Sequence, residues 1–187
     1  MIAAHSQECY QNCLRSCWDR CDSLPDCHTH NRCDLLDRTL QSLAKCHLPS
    51  NLMKVIVAEN GTRSGADLVV KKYTDRLPLM YQFTEKPNKS NALNEILRKT
   101  GNAFIIFFDD DVRIHPETVV NYAREVSDRK SGFFLCGRVS VDYEEKPPMW
   151  ILNYLPPSVK GWHFHDEKCK MGVPDGLGTN WGLSRLT

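Results

Sequence analysis

The sequence predicts an α/β fold, a mostly parallel sheet with helices on both faces, and three observations predict it. Short apolar runs, Met53–Ala58 and Ala103–Phe108, read as buried strands. Other stretches place apolar residues at helical spacing. The two kinds alternate from residue 31 to residue 141, the order of a sheet wound with crossover helices.

The elements follow in chain order. The segment from Met1 to about Asp26 is polar and rich in cysteine. Cys9, Cys13, Cys17 and Cys21 recur every four residues, which predicts one slowly drifting helical stripe. Residues 1–27 read as a cysteine-rich extension and residues 28–187 as one domain. Cys27, His28, His30 and Cys33 offer zinc-type ligands, but their spacing matches no strong finger pattern. Leu35, Leu36, Leu40, Leu43 and Ala44 form the apolar face of a helix that Pro49 ends. The strand Met53–Ala58 runs into the turn signal Glu59-Asn60-Gly61. Ser64 is the expected cap of a helix carrying Ala66, Leu68, Val69, Val70 and Tyr73. Leu77–Phe83 reads as a second strand, and Ser90 as the cap of a helix that buries Ala92, Leu93, Ile96 and Leu97. After the run Ala103–Phe108, Pro116 opens a helix with Val119, Val120, Tyr122, Ala123 and Val126 inward. Phe133–Val141 reads as a further strand. Beyond Pro147 aromatic residues, prolines and glycines predict loops and short elements above the carboxyl ends of the strands.

Asp109, Asp110 and Asp111 follow the Ala103–Phe108 strand directly. They lie at the end of the sheet where open α/β folds bind ligands. Adjacent carboxylates repel, so a cation relieves them. If the strand continues extended, Asp109 and Asp111 point to one side. Hard oxygen ligands of this kind suit Mg²⁺ or Mn²⁺ shared with substrate phosphates. Taken alone, the triplet also fits a solvated turn that caps the next helix. Lys89 alone fits a solvated cation, and Glu59-Asn60-Gly61 alone fits a plain turn.

Composition narrows the classes. Twenty-four basic and 23 acidic residues leave a net charge of +1, which does not favour a nucleic-acid surface. No stretch approaches the roughly 18 to 20 apolar residues of a membrane span, and the amino terminus has no apolar signal core. The expectation is a cytoplasmic protein, with peripheral association at a membrane surface open. Nine cysteines, six of them before residue 34, do not fit a disulfide framework over the whole chain.

Order and spacing of several motifs give a resemblance. They are Thr29-His30-Asn31-Arg32 before Leu35-Leu36 and Thr39-Leu40; Val55-Ile56-Val57 before Glu59-Asn60-Gly61-Thr62; Asn88-Lys89-Ser90-Asn91-Ala92-Leu93-Asn94; Asp109-Asp110-Asp111; and Gly176–Arg185. From about Thr29 to Arg185 the chain resembles glycosyltransferase family 2, enzymes of the GT-A fold that use nucleotide sugars. The resemblance implies a metal-dependent, inverting transfer of sugar from a nucleotide-diphospho-sugar to a glycan, lipid or protein hydroxyl, with Mn²⁺ or Mg²⁺ as cofactor. It places Thr29 and Arg32 near base and diphosphate, Glu59 at the base or ribose, and Lys89 near the nucleotide. Asp109 takes ribose or metal, Asp110 joins the donor site, Asp111 is the main metal ligand, and Asn180 lies near donor sugar or acceptor. Glu59 stands where the family more usually has aspartate.

Two departures shape the expectations. The segment Arg20–His28, where the family has its apolar first strand, is polar and broken by Pro25, so the first strand is the weak element. The family's catalytic base, an aspartate or glutamate after the glycine–asparagine segment, falls beyond Thr187, so the domain reads as incomplete at its carboxyl end and the catalytic residue is unassigned. The alternative reading is a truncated, non-catalytic module that binds a nucleotide or a partner.

Overall fold

The computed structural model describes residues 2–5, 11–16, 32–52, 54–86, 88–100, 104–127, 129, 132–155 and 180–184. Seven strands form one sheet: β1 (Ile2–His5), β2 (Gln11–Ser16), β3 (Lys54–Asn60), β4 (Leu79–Thr84), β5 (Phe104–Asp109), β6 (Phe134–Cys136) and β7 (Asn180–Ser184). Their order is β4-β3-β1-β2-β5-β7-β6. β2, β3, β4, β5 and β6 run one way, and β1 and β7 run the other. Five helices accompany the sheet among the described residues: α1 (Arg32–Leu43), α2 (Ala66–Lys71), α3 (Lys89–Lys99), α4 (Thr118–Ser127) and the short α5 (Met149–Leu152).

The side chains of β3 and β5 explain the two-sided core. Val55, Val57, Phe104, Ile106 and Phe108 face α1, α2 and α4, where Leu36, Leu40, Val69, Val119 and Tyr122 are buried with them. The alternate residues Ile56, Ala58, Ile105 and Phe107 face Ile96 of α3 and, more openly, Trp181 and Leu183 of β7. Alternation by two along a strand sends successive side chains to opposite faces, so an unbroken apolar run is the signature of a strand covered on both sides.

Several elements differ from their sequence expectation. Gln11–Ser16 runs parallel to β3 between β3 and β5, with Asn12 opposite Val55 and Ser16 opposite Glu59. β1 adds antiparallel pairs to β5 from Ile2–Phe108 to Ala4–Ile106. Residues expected as an extension thus contribute two strands. A gap between β3 and β5 would leave rows of backbone donors and acceptors unpaired, and any extended segment can satisfy them whatever its side chains. Cys13 lies in β2, so the four-residue cysteine repeat makes no helical stripe there; Cys9, Cys17, Cys21 and the segment Arg20–His28 lie outside the described residues.

Ser64 does not cap α2. Gly65 holds that position at φ 94°, without a side-chain cap bond, and Leu68 stays 62% exposed. α4 begins at Thr118, two residues after Pro116, and the strand expected over Phe133–Val141 is only Phe134–Cys136. The tail segment holds an interior strand, β7, wedged between β5 and β6. Gly182 permits this. A Cβ there would come within 2.5 Å of the Phe104 ring and 3.0 Å of the Ile105 carbonyl oxygen. Gly182→Ala is therefore expected to destabilise the fold by about 1–3 kcal/mol through overpacking, read as a lower urea midpoint.

Candidate functional site at the carboxyl edge of the sheet

β3 and β5 both end at the same edge of the sheet, and β7 begins there, Asn180 lying opposite Phe108. Glu59, Asp109, Asp110, Asp111 and Asn180 therefore gather along one edge. The amino terminus of α3, with Lys89, follows the carboxyl end of β4 on that edge, and Arg32 is the first residue of α1. Thr29 lies outside the described residues, as do Cys27, His28 and His30. Cys33, the last member of that candidate zinc set, donates its thiol to the Ser64 carbonyl at 3.1 Å.

Glu59 is fully buried. Its Oε1 accepts from the Ser64 amide at 2.7 Å and from the Ser64 hydroxyl, and its Oε2 accepts from the Tyr81 hydroxyl. The carboxylate therefore holds the turn between β3 and α2 rather than facing solvent. Gly61, at φ 84°, gives that turn its left-handed residue, and its amide bonds the Thr84 carbonyl at 2.9 Å. Burial first, and then Glu59, push the Tyr81 phenol well above its ordinary value of 10. Its contribution to stability is whole below that value and declines as pH rises from there towards the folded value. Tyr81→Phe removes a donor to a buried carboxylate and is expected to cost about 1.5–3 kcal/mol, measured by denaturant unfolding at neutral pH.

The aspartates follow a different geometry from the extended one. β5 stops at Asp109, and Asp110 and Asp111 form a turn, so the two-residue alternation does not carry through. Asp110 is buried, Asp109 half-buried and Asp111 exposed. Although the residue as a whole is open, protein packed around the Asp111 carboxyl raises its pKa above the ordinary aspartate range, and the charges of Asp110 and Asp109 add to the effect.

Helix α1 fixes this turn from below. Thr39 is completely buried, and its hydroxyl oxygen stands 2.8 Å from the carbonyl oxygens of both Asp110 and Val112. The Leu35 carbonyl lies 3.0 Å away as well, and the single hydroxyl proton serves one of the three at a time. Ser42 Oγ accepts from the Ile114 amide at 2.9 Å, and the His47 amide bonds the Pro116 carbonyl at 2.9 Å. With Cys33 on Ser64, one helix thus fastens both the turn after β3 and the loop after β5. Sequence reading missed Thr39 and Ser42 as parts of the site; their signal is a hydroxyl at an inward helical position amid leucines. Thr39→Val strips the buried carbonyls of their donor and is expected to lower stability by about 1–3 kcal/mol, seen as a drop in melting temperature.

Asn180 bridges three elements. Its Oδ1 accepts from the Tyr122 hydroxyl at 3.0 Å, its Nδ2 donates to the Arg138 carbonyl at 3.1 Å, and its carbonyl accepts from the Gly137 amide at 3.0 Å. Asn180, Asp111 and Phe108 line a common cleft of ≈ 610 Å³ between the loop after β5 and residues 138–142. Of the sequence-predicted residues, the cleft brings Asp111 and Asn180 together, and Glu59 is not among its described lining residues.

The donor set at the triplet is carboxylate oxygen throughout, the chemistry of a hard divalent ion that keeps waters and shares its coordination with a substrate. Burial first, and then the charges of Asp110 and Asp109, raise the Asp111 carboxyl, and a bound cation would offset both. Among the described residues no group of three or more His, Cys, Asp or Glu is placed to hold a metal ion by itself. Among them, too, no helix is long and apolar enough to cross a membrane.

The family described as Glycosyl transferase family 2 matches residues 28–186. Validoxylamine A glucosyltransferase of Streptomyces hygroscopicus subsp. jinggangensis (strain 5008) is 33% identical over 93 residues, 49% of this chain and 22% of that protein. The enzyme of the same name from subsp. limoneus is 33% identical over 93 residues, 49% of this chain and 20% of that protein. The matched part thus spans about a fifth of these relatives' length. The crystal structure of S. aureus TarS 1-349 in complex with UDP-GlcNAc superposes with a TM-score of 0.54 at 21% identity, over 73% of this chain and 36% of that one. Its likeness bears on the fold.

Proposed function

The chain belongs to glycosyl transferase family 2, and from that premise we propose that it transfers a sugar from a nucleotide-diphospho-sugar to an acceptor hydroxyl on a GT-A scaffold. The observation that carries the proposal is the aspartate turn. A carboxylate cluster ends a strand buried on both faces, α1 holds its backbone, and Asp111 opens into a cleft shared with Asn180. The uridine diphosphate sugar bound by TarS favours a uridine donor, and the validoxylamine relatives favour glucosyl transfer.

The chain's residues then divide the work. Thr29, Arg32 and Lys89 are assigned to base and diphosphate and would supply donors to them. Glu59, sealed by Ser64 and Tyr81, acts through the turn against which the base or ribose rests. Asp109 faces ribose or metal, buried Asp110 anchors the turn to Thr39, and Asp109 with Asp111 would hold Mn²⁺ or Mg²⁺. When bound, the ion offsets charge on the departing nucleoside diphosphate. Asn180, fixed by Tyr122 and Arg138, positions the donor sugar or the acceptor. Transfer is inverting: a carboxylate takes the proton of the acceptor hydroxyl as that oxygen attacks the anomeric carbon.

Product analysis tests this. The full chain with Mn²⁺ and a uridine diphosphate sugar is expected to release intact uridine diphosphate in step with glycosylated acceptor across a panel of glycans, lipids and proteins. Release of free monosaccharide with no transfer would support the nucleotide-binding module instead. Release of inorganic phosphate or uridine monophosphate would place the carboxylates in hydrolysis and overturn the reading.

A further inference from the structure

The cleft beyond Asp111 has a charge pattern that the donor reading leaves unused. Arg38 projects from α1 into it, and Arg113 and Arg138 line it from the loops after β5 and β6. Asp111 and Asp142 are the lining carboxylates. Arg113 is already engaged, its Nε standing 3.0 Å from the Asp142 carboxylate. Arg38 is not. Its Nε is buried from water and has no hydrogen-bond partner among the described residues. A guanidinium is always charged and carries five donors, and with Nε enclosed by protein a ligand in the cleft would meet the terminal nitrogens of Arg38.

We propose that this cleft is an anion site for a phosphate or carboxylate carried by the acceptor, with Arg38 as its central cation. The proposal rests on the glycosyltransferase reading for the word acceptor, and on the cleft alone for the anion. The cleft lies on the β7–β6 side of Asp111, and Glu59 is not among its described lining residues. Three guanidinium groups and two carboxylates line it, and Arg113 is paired with Asp142. Planar guanidinium donors match the paired oxygens of phosphate and carboxylate, which a lone ammonium does not. The acceptor's anionic group would dock on Arg38 while its hydroxyl faces the donor beside Asp111 and Asn180.

The test titrates the full chain with inorganic phosphate, with acetate, and with uridine diphosphate plus Mn²⁺, followed by calorimetry, beside Arg38→Met and Arg38→Lys. The Met variant keeps the apolar stem and loses the charge. Saturable binding of phosphate or acetate is expected, weakened about tenfold or more in Arg38→Met and in part restored in Arg38→Lys. Uridine diphosphate affinity is expected to stay with the Asp111 side of the edge. Equal loss of uridine diphosphate affinity in Arg38→Met would assign Arg38 to the donor diphosphate and overturn the acceptor site. Phosphate and acetate binding unaffected by either variant, or absent, would overturn the anion site. Arg38-dependent phosphate binding in a chain that ignores uridine diphosphate would keep the anion site and sink the glycosyltransferase reading instead. Should Arg38→Met fail to fold by circular dichroism, Arg138→Met replaces it, with the same outcomes deciding.

Discussion

Asp111→Asn is expected to lower Mn²⁺-dependent binding of uridine diphosphate by about a hundredfold, because one charged ligand of a hard divalent ion is worth several kcal/mol at a bound phosphate. Calorimetric titration with and without Mn²⁺ reads this directly. The same variant is expected to fold at least as well as the parent. Asp111 has a raised folded pKa, so relative to an ordinary aspartate its proton is held more tightly in the native state. The stability this brings is present below the ordinary value of 3.8 and is lost as pH rises through the folded value. At neutral pH the ionised side chain is therefore a burden that Asn removes. A drop in metal-dependent binding with unchanged or higher stability separates function from folding at this position. Undiminished binding in Asp111→Asn would show that the triplet does not hold the ion.

Phe107→Ala is expected to have the largest effect on stability. Phe107 is fully buried in β5 and stacks on Trp181 of β7 at 4.2 Å between ring centroids. Loss of the ring leaves a cavity among Ile56, Ile105 and Ile96 and unsupports β7, the strand that begins with Asn180. The expected cost is about 3–5 kcal/mol, a large part of the roughly 5–15 kcal/mol that holds a domain together. Urea unfolding should show a midpoint shift at constant slope. A shift under about 1 kcal/mol would mean that the site collapses around the missing ring and that this face of β5 is less tightly packed than its burial indicates.

Much of the fold was legible because buried strands and amphipathic helices leave periodic marks. Val55–Ala58 and Phe104–Phe108 are continuous apolar runs, and both are covered on two faces. Leu36, Leu40 and Leu43 are all fully buried, as their spacing predicts. The aspartate cluster and Asn180 were legible as motifs, and the sheet brings them to one edge. What was not legible depends on partners distant in sequence. Gln11–Ser16 has no apolar pattern, and its place comes from the backbone groups of β3 and β5. β7 reads as a glycine-rich loop because close approach to Phe104 requires Gly182, and glycine carries no strand signal. Ser64 has the chemistry of a helix cap, but Glu59 competes for its hydroxyl and amide and wins through burial. Arg38 lies at a helical position like any surface arginine, and only the cleft shows that its Nε is enclosed.

The attachment of the loop after β5 to α1 also sets a clock. Loop amides at a sheet edge ordinarily exchange with solvent within moments, because no lasting bond holds them. Here the Ile114 amide is held by the Ser42 hydroxyl, and Thr39 lies against carbonyl groups 71 and 73 residues away. These bonds cannot part without moving a helix whose own Leu36, Leu40 and Leu43 are buried in the core. Deuterium should therefore enter at Ile114 only as slowly as it enters α1 itself. The loop that presents the carboxylates would then belong to the most slowly opening unit of the molecule.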